Sequence, residues 1–337
     1  MVKLKDIAAR AGVSIMTVSK ALREAKDISA GTRARIRKLS EEMGYVPDLS
    51  AQLMRSGKTR LFGLIISAAT NPIYARIVMA LEERAHEMGY DLLFAHSLNQ
   101  PSREEACIRR LLTRRVDGLF ITPVYRLAPV APAYEEIKRL KVPTVILGHR
   151  GLFCSQFANV ETDDIAASFA VTKHLIELGH RRIAYFTGPP VSPSAQERYE
   201  GYRRALREAN IEMDDRLVFN AGGTIEEGEK AALQMLNENP KATAVQAVND
   251  LVAIGVADVL LNQNVRIPEQ ISVAGFGNIL VSEYFRVPLT TVRQPKLRLG
   301  YAAMDLMQAL HRGEPPESKR LRAEVIARAS TAPPVQS

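Results

Sequence analysis

The sequence predicts a small all-α helix-turn-helix bundle followed by an α/β core of two lobes, each a doubly wound parallel sheet. Three observations carry this. Residues 1–46 hold three short amphipathic stretches punctuated by Gly12 and Ser29. Positive charge is concentrated at that end: residues 1–60 carry 13 Lys and Arg against 6 Asp and Glu, whereas the other 277 carry 32 against 31. From Leu61 onward, short apolar strands alternate with helical stretches, the pattern of parallel strands covered on both faces.

The first helix places Leu4, Ile7, Ala8 and Ala11 at helical spacing, and Gly12 supplies the turn. Ser14 opens a second helix whose Val18, Ala21 and Leu22 point inward. A third runs from about Thr32 to Met43, with Ile36, Leu39 and Met43 inside and Arg33, Arg35, Arg37 and Lys38 outside; Ser29 is its expected cap. Leu4, Ile7, Val18, Leu22, Ile36 and Leu39 form the expected core. Such a unit sets its second helix into a DNA major groove, and local positive charge draws it to phosphate.

On that second helix Met16, Ser19 and Lys20 share the expected outward face at i, i+3 and i+4. Ile15 and Met16 lie in the first turn, nearest the base edges. Neither can donate a hydrogen bond, so they suit thymine methyls or shape recognition. Packing of Ile15 against Val18 is the alternative. Ser14 caps the helix, and Thr17, Ser19 and Lys20 can reach phosphates or bases. Pro47 ends the bundle. Residues 48–58 follow as a short helix, capped by Asp48 and stopped by Gly57, with an apolar Leu53-Met54 pair suited to a minor-groove wedge.

In the core, strands are expected at Leu61–Ser67, Asp91–Ala95, Gly118–Thr122, Thr144–Leu147, Ile183–Gly188, Ala244–Val248 and Ser272–Phe276. Helices are expected at Ile73–Met88, from Asp163 to Leu178, and at Asp250–Leu261. Two lobes leave a cleft at the carboxyl ends of their strands, where ligands bind in open α/β sheets. The expected division is a head at 1–47, a hinge at 48–60 and a core at 61–330. Lobe 1 is about 61–160 plus 291–326, and lobe 2 about 161–290. Residues 327–337 make a short frayed tail.

Other readings weaken against the residues. Cys107 and Cys154 fit no disulfide framework or metal spacing, and histidines 86, 96, 149, 174, 180 and 311 are scattered. An enzyme needs a nucleophile elbow, a phosphate loop or a metal constellation, and no such motif occurs; no cofactor is expected. Gly275-x-Gly277 lacks the third glycine of a dinucleotide fingerprint. A secreted solute receptor needs an export signal, and the basic N-terminus lacks its apolar segment. No apolar run suggests a membrane span, so the expected location is the cytoplasm.

Several motifs occur together in one order: Val13-Ser14-x-x-Thr17-Val18-Ser19-Lys20, Gly44-Tyr45-x-Pro47, Asn71-Pro72, Gly179-His180-x-x-Ile183, Arg198-x-x-Gly201-Tyr202, Asn249-Asp250, Val273-x-Gly275-Phe276 and Pro288-Leu-Thr-Thr-Val-x-Gln294. In this the chain resembles the lactose and purine repressor family of bacterial transcription factors over nearly its whole length. The resemblance implies a homodimer whose heads read a palindromic DNA operator and whose hinge helices enter the minor groove. It implies a periplasmic-binding-protein-like core that senses a small-molecule effector, a sugar or sugar acid.

Position by position, it implies base contacts from Ile15, Met16 and Lys20, and a hinge built on Pro47, Ala51 and Arg55. Met54 stands where the family has its minor-groove leucine, beside Leu53, and Gln52 where it has an arginine. Ile73, Tyr74, Arg198, Asn249 and Gln294 are implied to face effector, with Arg198 suited to clamp a carboxylate, a phosphate or vicinal hydroxyls. Gly148, Gly223 and Gly277 replace bulkier contacts, which implies a wider cleft for a larger or more acidic ligand. The leucine-heptad tail of tetrameric relatives is absent from the sequence.

Overall fold

The computed structural model describes residues 2–46 and 58–335. The chain divides into two compact units, Met1–Thr59 and Arg60–Ser337. The expected hinge from Pro47 to Gly57, with Ala51, Gln52, Leu53, Met54 and Arg55, lies outside the described residues.

The first unit is the three-helix bundle: α1 (Leu4–Ala11), α2 (Ile15–Leu22) and α3 (Ala30–Glu42). Gly12 ends α1 in the left-handed conformation at φ 65°, which a side chain would strain. Thr17 N–H donates to Ser14 Oγ at 3.0 Å, capping α2, and Thr32 N–H donates to Ser29 Oγ at 3.3 Å, capping α3. Ile7, Val18 and Ile36 are fully buried at the centre, ringed by Leu4, Leu22 and Leu39. Three helices this short hold together through that shared core.

Lobe 1 of the second unit is built on β1 (Leu61–Ile66), β2 (Asp91–His96), β3 (Gly118–Ile121), β4 (Thr144–Leu147) and β5 (Ala158–Thr162). All pair in parallel, in the order β5-β4-β3-β1-β2, with Phe62 opposite Gly118 and Leu119 opposite Thr144. Successive strand residues feed opposite faces. Phe62, Leu64 and Ile66 pack under α4 (Ala75–Glu87), whereas Ile65 packs under α5 (Pro101–Thr113) and α6 (Pro132–Leu140). That two-sided burial is why β1 reads as a continuous apolar run.

Lobe 2 repeats the plan. Its strands are β6 (Ile183–Thr187), β7 (Val218–Asn220), β8 (Ala244–Ala247) and β9 (Ser272–Ala274), parallel in the order β7-β6-β8-β9. One face carries α7 (Asp164–Glu177) and α8 (Pro193–Glu208), the other α9 (Ile225–Glu238) and α10 (Asp250–Asn262). The short α11 (Leu280–Tyr284) follows β9. A Cβ on Gly201 would lie 2.4 Å from the Ile165 carbonyl, so glycine permits the close crossing of α7 and α8.

The remaining chain crosses between the lobes. Strand β10 (Thr291–Arg293) and β12 (Glu324–Ile326) form an antiparallel pair, and Val292 and Val325 pack in the lobe 2 cluster. Between them, α12 (Lys296–His311) packs against lobe 1, and β11 (Lys319–Leu321) extends the lobe 1 sheet beside β5. The segment 291–326, expected wholly in lobe 1, therefore divides between the lobes.

The frayed tail is a second correction. Ser330 is fully buried, its Oγ donates to the Val273 carbonyl at 2.5 Å, and Thr290 N–H donates to that Oγ at 2.8 Å. Ala332 N–H donates to Ser272 Oγ at 3.1 Å. Through residue 335 the chain has no regular element after β12, which is why periodicity carries no sign of it. Backbone and hydroxyl bonds, not an apolar stripe, hold it to lobe 2.

Candidate functional site: a DNA-reading head and an interlobe cavity

Helix α2 presents its first turn outward. Ile15 is 52% exposed and Met16 67%, while Val18 is fully buried. The alternative place for Ile15, packed against Val18, is thereby excluded: the capped start of α2 rotates positions 15 and 16 away from the core. Ser14 and Thr17 join their hydroxyls at 2.9 Å beside them. Lys20 ion-pairs with Asp27 at 2.5 Å, and the ammonium lowers the Asp27 carboxyl below its usual range.

Ser19 is the exception. It is buried, at 9% exposure, one residue from Val18 and on the bundle side of α2. A short helix in a small bundle buries more than a narrow stripe, and the i, i+3 rule mistook this flank for the open face.

The core encloses a cavity of about 240 Å³ between the lobes. Five of the anticipated effector residues line it: Ile73, Tyr74, Arg198, Asn249 and Gln294. Ile73 and Tyr74 stand at the head of α4, where Ile73 N–H donates to Asn71 Oδ1 at 3.1 Å and closes the turn. Asn249 caps α10, accepting from Val252 N–H at 2.8 Å, while its amide donates to the Gly223 carbonyl at 3.0 Å. Gln294 lies on a crossover and donates to Thr162 Oγ1, at the end of β5, at 3.1 Å.

The three glycines differ. Gly148 lines the cavity, at φ 104°. Gly223 and Gly277 are not among its lining residues. A Cβ on Gly277 would lie 3.5 Å from both Ile73 and Asp250, which do line it. A side chain there would touch those two residues, and of the three glycines only Gly148 lines the cavity.

Arg198 is already engaged. Its Nε and Nη2 each reach Asp164 Oδ2 at 3.0 Å, Nη1 donates to the Val248 carbonyl at 2.8 Å, and the guanidinium stacks on Phe276 at 3.8 Å. Asp164 is nearly fully buried. Burial pushes its carboxyl up, against the pull of Arg198, and its Oδ1 has no partner among the described residues. The close α7–α8 crossing at Gly201 brings the pair together.

Sequence reasoning missed Asp164, although two adjacent acids at a helix start were a visible signal. Asp163 accepts from Ala166 N–H at 3.1 Å and serves as the cap, which leaves the second acid without a capping role. It also missed His149, Glu161, Tyr125 and Asp250 in the wall. Asp250 is raised by burial but satisfied: Ser282 and Thr291 hydroxyls donate at 2.6 and 2.5 Å, and Ile279 N–H at 2.9 Å. Tyr125 donates its hydroxyl to the His149 carbonyl at 2.9 Å.

A helical head and a two-lobed cavity recur together in known proteins. Residues 3–48 match the model of bacterial regulatory proteins, lacI family, and residues 172–331 that of a periplasmic binding protein-like domain. The HTH-type transcriptional repressor PurR of Vibrio atlanticus is 31% identical over 312 residues, 91% of each chain. The repressor CytR of Escherichia coli K12 is 31% identical over 332 residues, 97% of this chain and 96% of its own.

The chain belongs to the lacI family. A lac repressor dimer bound to operator and the anti-inducer ONPF superposes with a TM-score of 0.87 at 27% identity, covering 98% of this chain and 99% of its own. A complex of the regulator CelR with cellobiose gives 0.74 at 30%, covering 98% and 100%. This lacI-family protein is thus a transcriptional regulator with a DNA-binding head and an effector-binding core, not an enzyme.

Proposed function

We propose that this regulator represses transcription by binding a palindromic operator as a homodimer, under control of a small molecule held in the interlobe cavity. The exposed apolar pair Ile15 and Met16, at the capped start of α2, carries the DNA half of this reading. Ser14, Thr17 and Lys20 supply phosphate or base contacts beside them, and Ser19, expected there too, is buried. Ala51, Leu53, Met54 and Arg55 are assigned to the minor groove by resemblance alone.

The effector half rests on Ile73, Tyr74, Arg198, Asn249 and Gln294 converging from both lobes, with Gly148 in the wall and Gly277 beside Ile73. CelR binds cellobiose, and a sugar or sugar derivative is the ligand class proposed here. Lobe closure around the ligand then shifts the population that holds the heads in register. Phe94, Leu280, Val281 and Tyr284 are exposed apolar residues of the core, which a second copy would cover. Among the described residues no helix is long and apolar enough to cross a membrane, and the proposed place of work is the cytoplasm.

The test is a mobility shift with operators selected from random duplexes. The full chain should select a palindrome, a chain lacking residues 1–58 should bind none, and a sugar found by thermal shift should change the affinity. Equal binding of operator and random competitor would sink the reading.

A further inference from the structure

Of the eight residues of α2 only Ile15 and Met16 are exposed, side by side in its first turn. The polar groups around them are engaged within the head or set back. Ser14 Oγ accepts from Thr17 N–H and bonds the Thr17 hydroxyl, Ser19 is buried, and the Lys20 ammonium is paired with Asp27. The two side chains that stand out carry hydrocarbon and one thioether, with no N–H or O–H donor between them.

The major groove of DNA offers little to match such a surface. Guanine shows N7 and O6, adenine N7 and an amino group, and cytosine an amino group; thymine alone adds a methyl, on carbon 5. Pressing Ile15 or Met16 against the polar edges strips water from them and returns no hydrogen bond. Pressing them against a methyl buries apolar surface on both partners.

We infer that the head recognises pyrimidine 5-methyl groups beneath Ile15 and Met16, and that the methyl rather than the base is read, so that 5-methylcytosine passes for thymine at those steps. The inference rests on the head binding operator DNA, and it adds which chemical group of the operator is recognised. Shape recognition by the same two side chains is blind to the methyl and is the competing outcome.

The full-length protein is first used to select a palindromic duplex from a random pool at fixed salt. Each thymine of the half-site is then replaced in turn by deoxyuridine, symmetrically in both half-sites, which removes only the methyl. At one or two positions affinity should fall about tenfold, roughly threefold for each methyl lost. Cytosine at such a position should also weaken binding, and 5-methylcytosine should regain at least about threefold. The double variant Ile15→Ala, Met16→Ala should lose the deoxyuridine penalty, which separates these side chains from base readers elsewhere. Where that variant binds too weakly to titrate, Met16→Ala alone serves, with the penalty reduced.

A selected operator with no thymine sensitive to uracil overturns the inference and leaves the repressor reading standing. So does a penalty unchanged in the alanine variants, or a cytosine whose methylation restores nothing. Failure to select any duplex brings down the repressor reading itself, and the inference with it.

Discussion

His149 Nε2 lies 3.0 Å from Glu197 Oε2, and the two residues belong to different lobes. His149 follows β4 in lobe 1, and Glu197 lies on α8 in lobe 2. Arg320, on β11 of the lobe 1 sheet, reaches the same carboxylate. Lobe 1 thus sets two basic side chains on one acid of lobe 2 beside the cavity, an electrostatic clasp across the cleft.

The clasp should respond to pH. Glu161 stands 4.0 Å from the same ring nitrogen, and Asp164 and Arg198 lie nearby. Burial pushes the His149 imidazole down, but Glu197, Asp164 and Glu161 together hold it above its usual range. A pKa raised by the clasp means that protonation favours the clasped form. The contribution is complete below the ordinary imidazole value of about 6.5 and fades as pH rises through the raised one. Effector affinity should therefore fall on going from about pH 6 to about pH 8, and His149→Gln should flatten that slope. Titrations of both proteins across this range, against a neutral sugar found by thermal shift, check it. Parallel slopes would remove His149 from the account.

Exposed and buried positions of α2 should separate binding from stability. Met16→Ala removes a side chain 67% exposed, so melting should hardly move while operator affinity falls by roughly 1 kcal/mol. Val18→Ala, at a fully buried centre, should cost about 2 kcal/mol of head stability. If Lys20 contacts phosphate, Lys20→Ala should lower the salt slope of binding by about 1 and weaken all sequences alike. Denaturation curves beside mobility shifts at several salt concentrations distinguish these outcomes.

Much of this architecture was legible because periodicity reports burial. The apolar runs of β1, β3 and β4 and the helical spacing around Ile7, Val18 and Ile36 are legible in the sequence, and they give the head and part of the lobe 1 sheet. Polar Asn159 and Glu161 concealed β5, and β7 is three residues long. Ile73, Tyr74, Arg198, Asn249 and Gln294, named by resemblance, line the cavity, and Gly277 does not. Residues acting through pairing were not named, because Asp164 meets Arg198 across 34 positions and His149 meets Glu197 across 48. Local spacing carries no sign of such meetings.

Truncation should expose how the tail works. Val273 and Ser330 exchange backbone N–H to carbonyl and hydroxyl to carbonyl bonds at 2.8 and 2.5 Å, and Ser330 N–H donates to the Pro288 carbonyl at 3.0 Å. His180 Nε2 lies 2.9 Å from the Ala332 carbonyl. Ending the chain at Ala329 leaves Val273 and Thr290 amides buried without acceptors, at about 1–3 kcal/mol each. Urea unfolding should show lobe 2 weakened by several times the loss in Ser330→Ala, which removes one hydroxyl. A truncated chain as stable as the full one would restore the frayed tail.

Lys296 gives the opposite pH signature to His149. It begins α12, which packs on lobe 1, yet its ammonium binds the Gly277 and Asn278 carbonyls of lobe 2. Burial lowers its pKa to about 8 from an ordinary 10.5, against the pull of Asp250. Between those values the unfolded chain binds the proton and the folded chain does not. Stability owed to this residue is therefore lowest below about pH 8 and recovers as pH climbs toward 10.5. The difference in unfolding free energy between wild type and Lys296→Met isolates the residue from every other titrating group. That difference should shift in favour of wild type from pH 8 to pH 10, by an amount of the order of a few kcal/mol at most. A flat difference would mean that the ammonium is solvated in solution, and that Lys296 does not tie the lobes together as a buried charge.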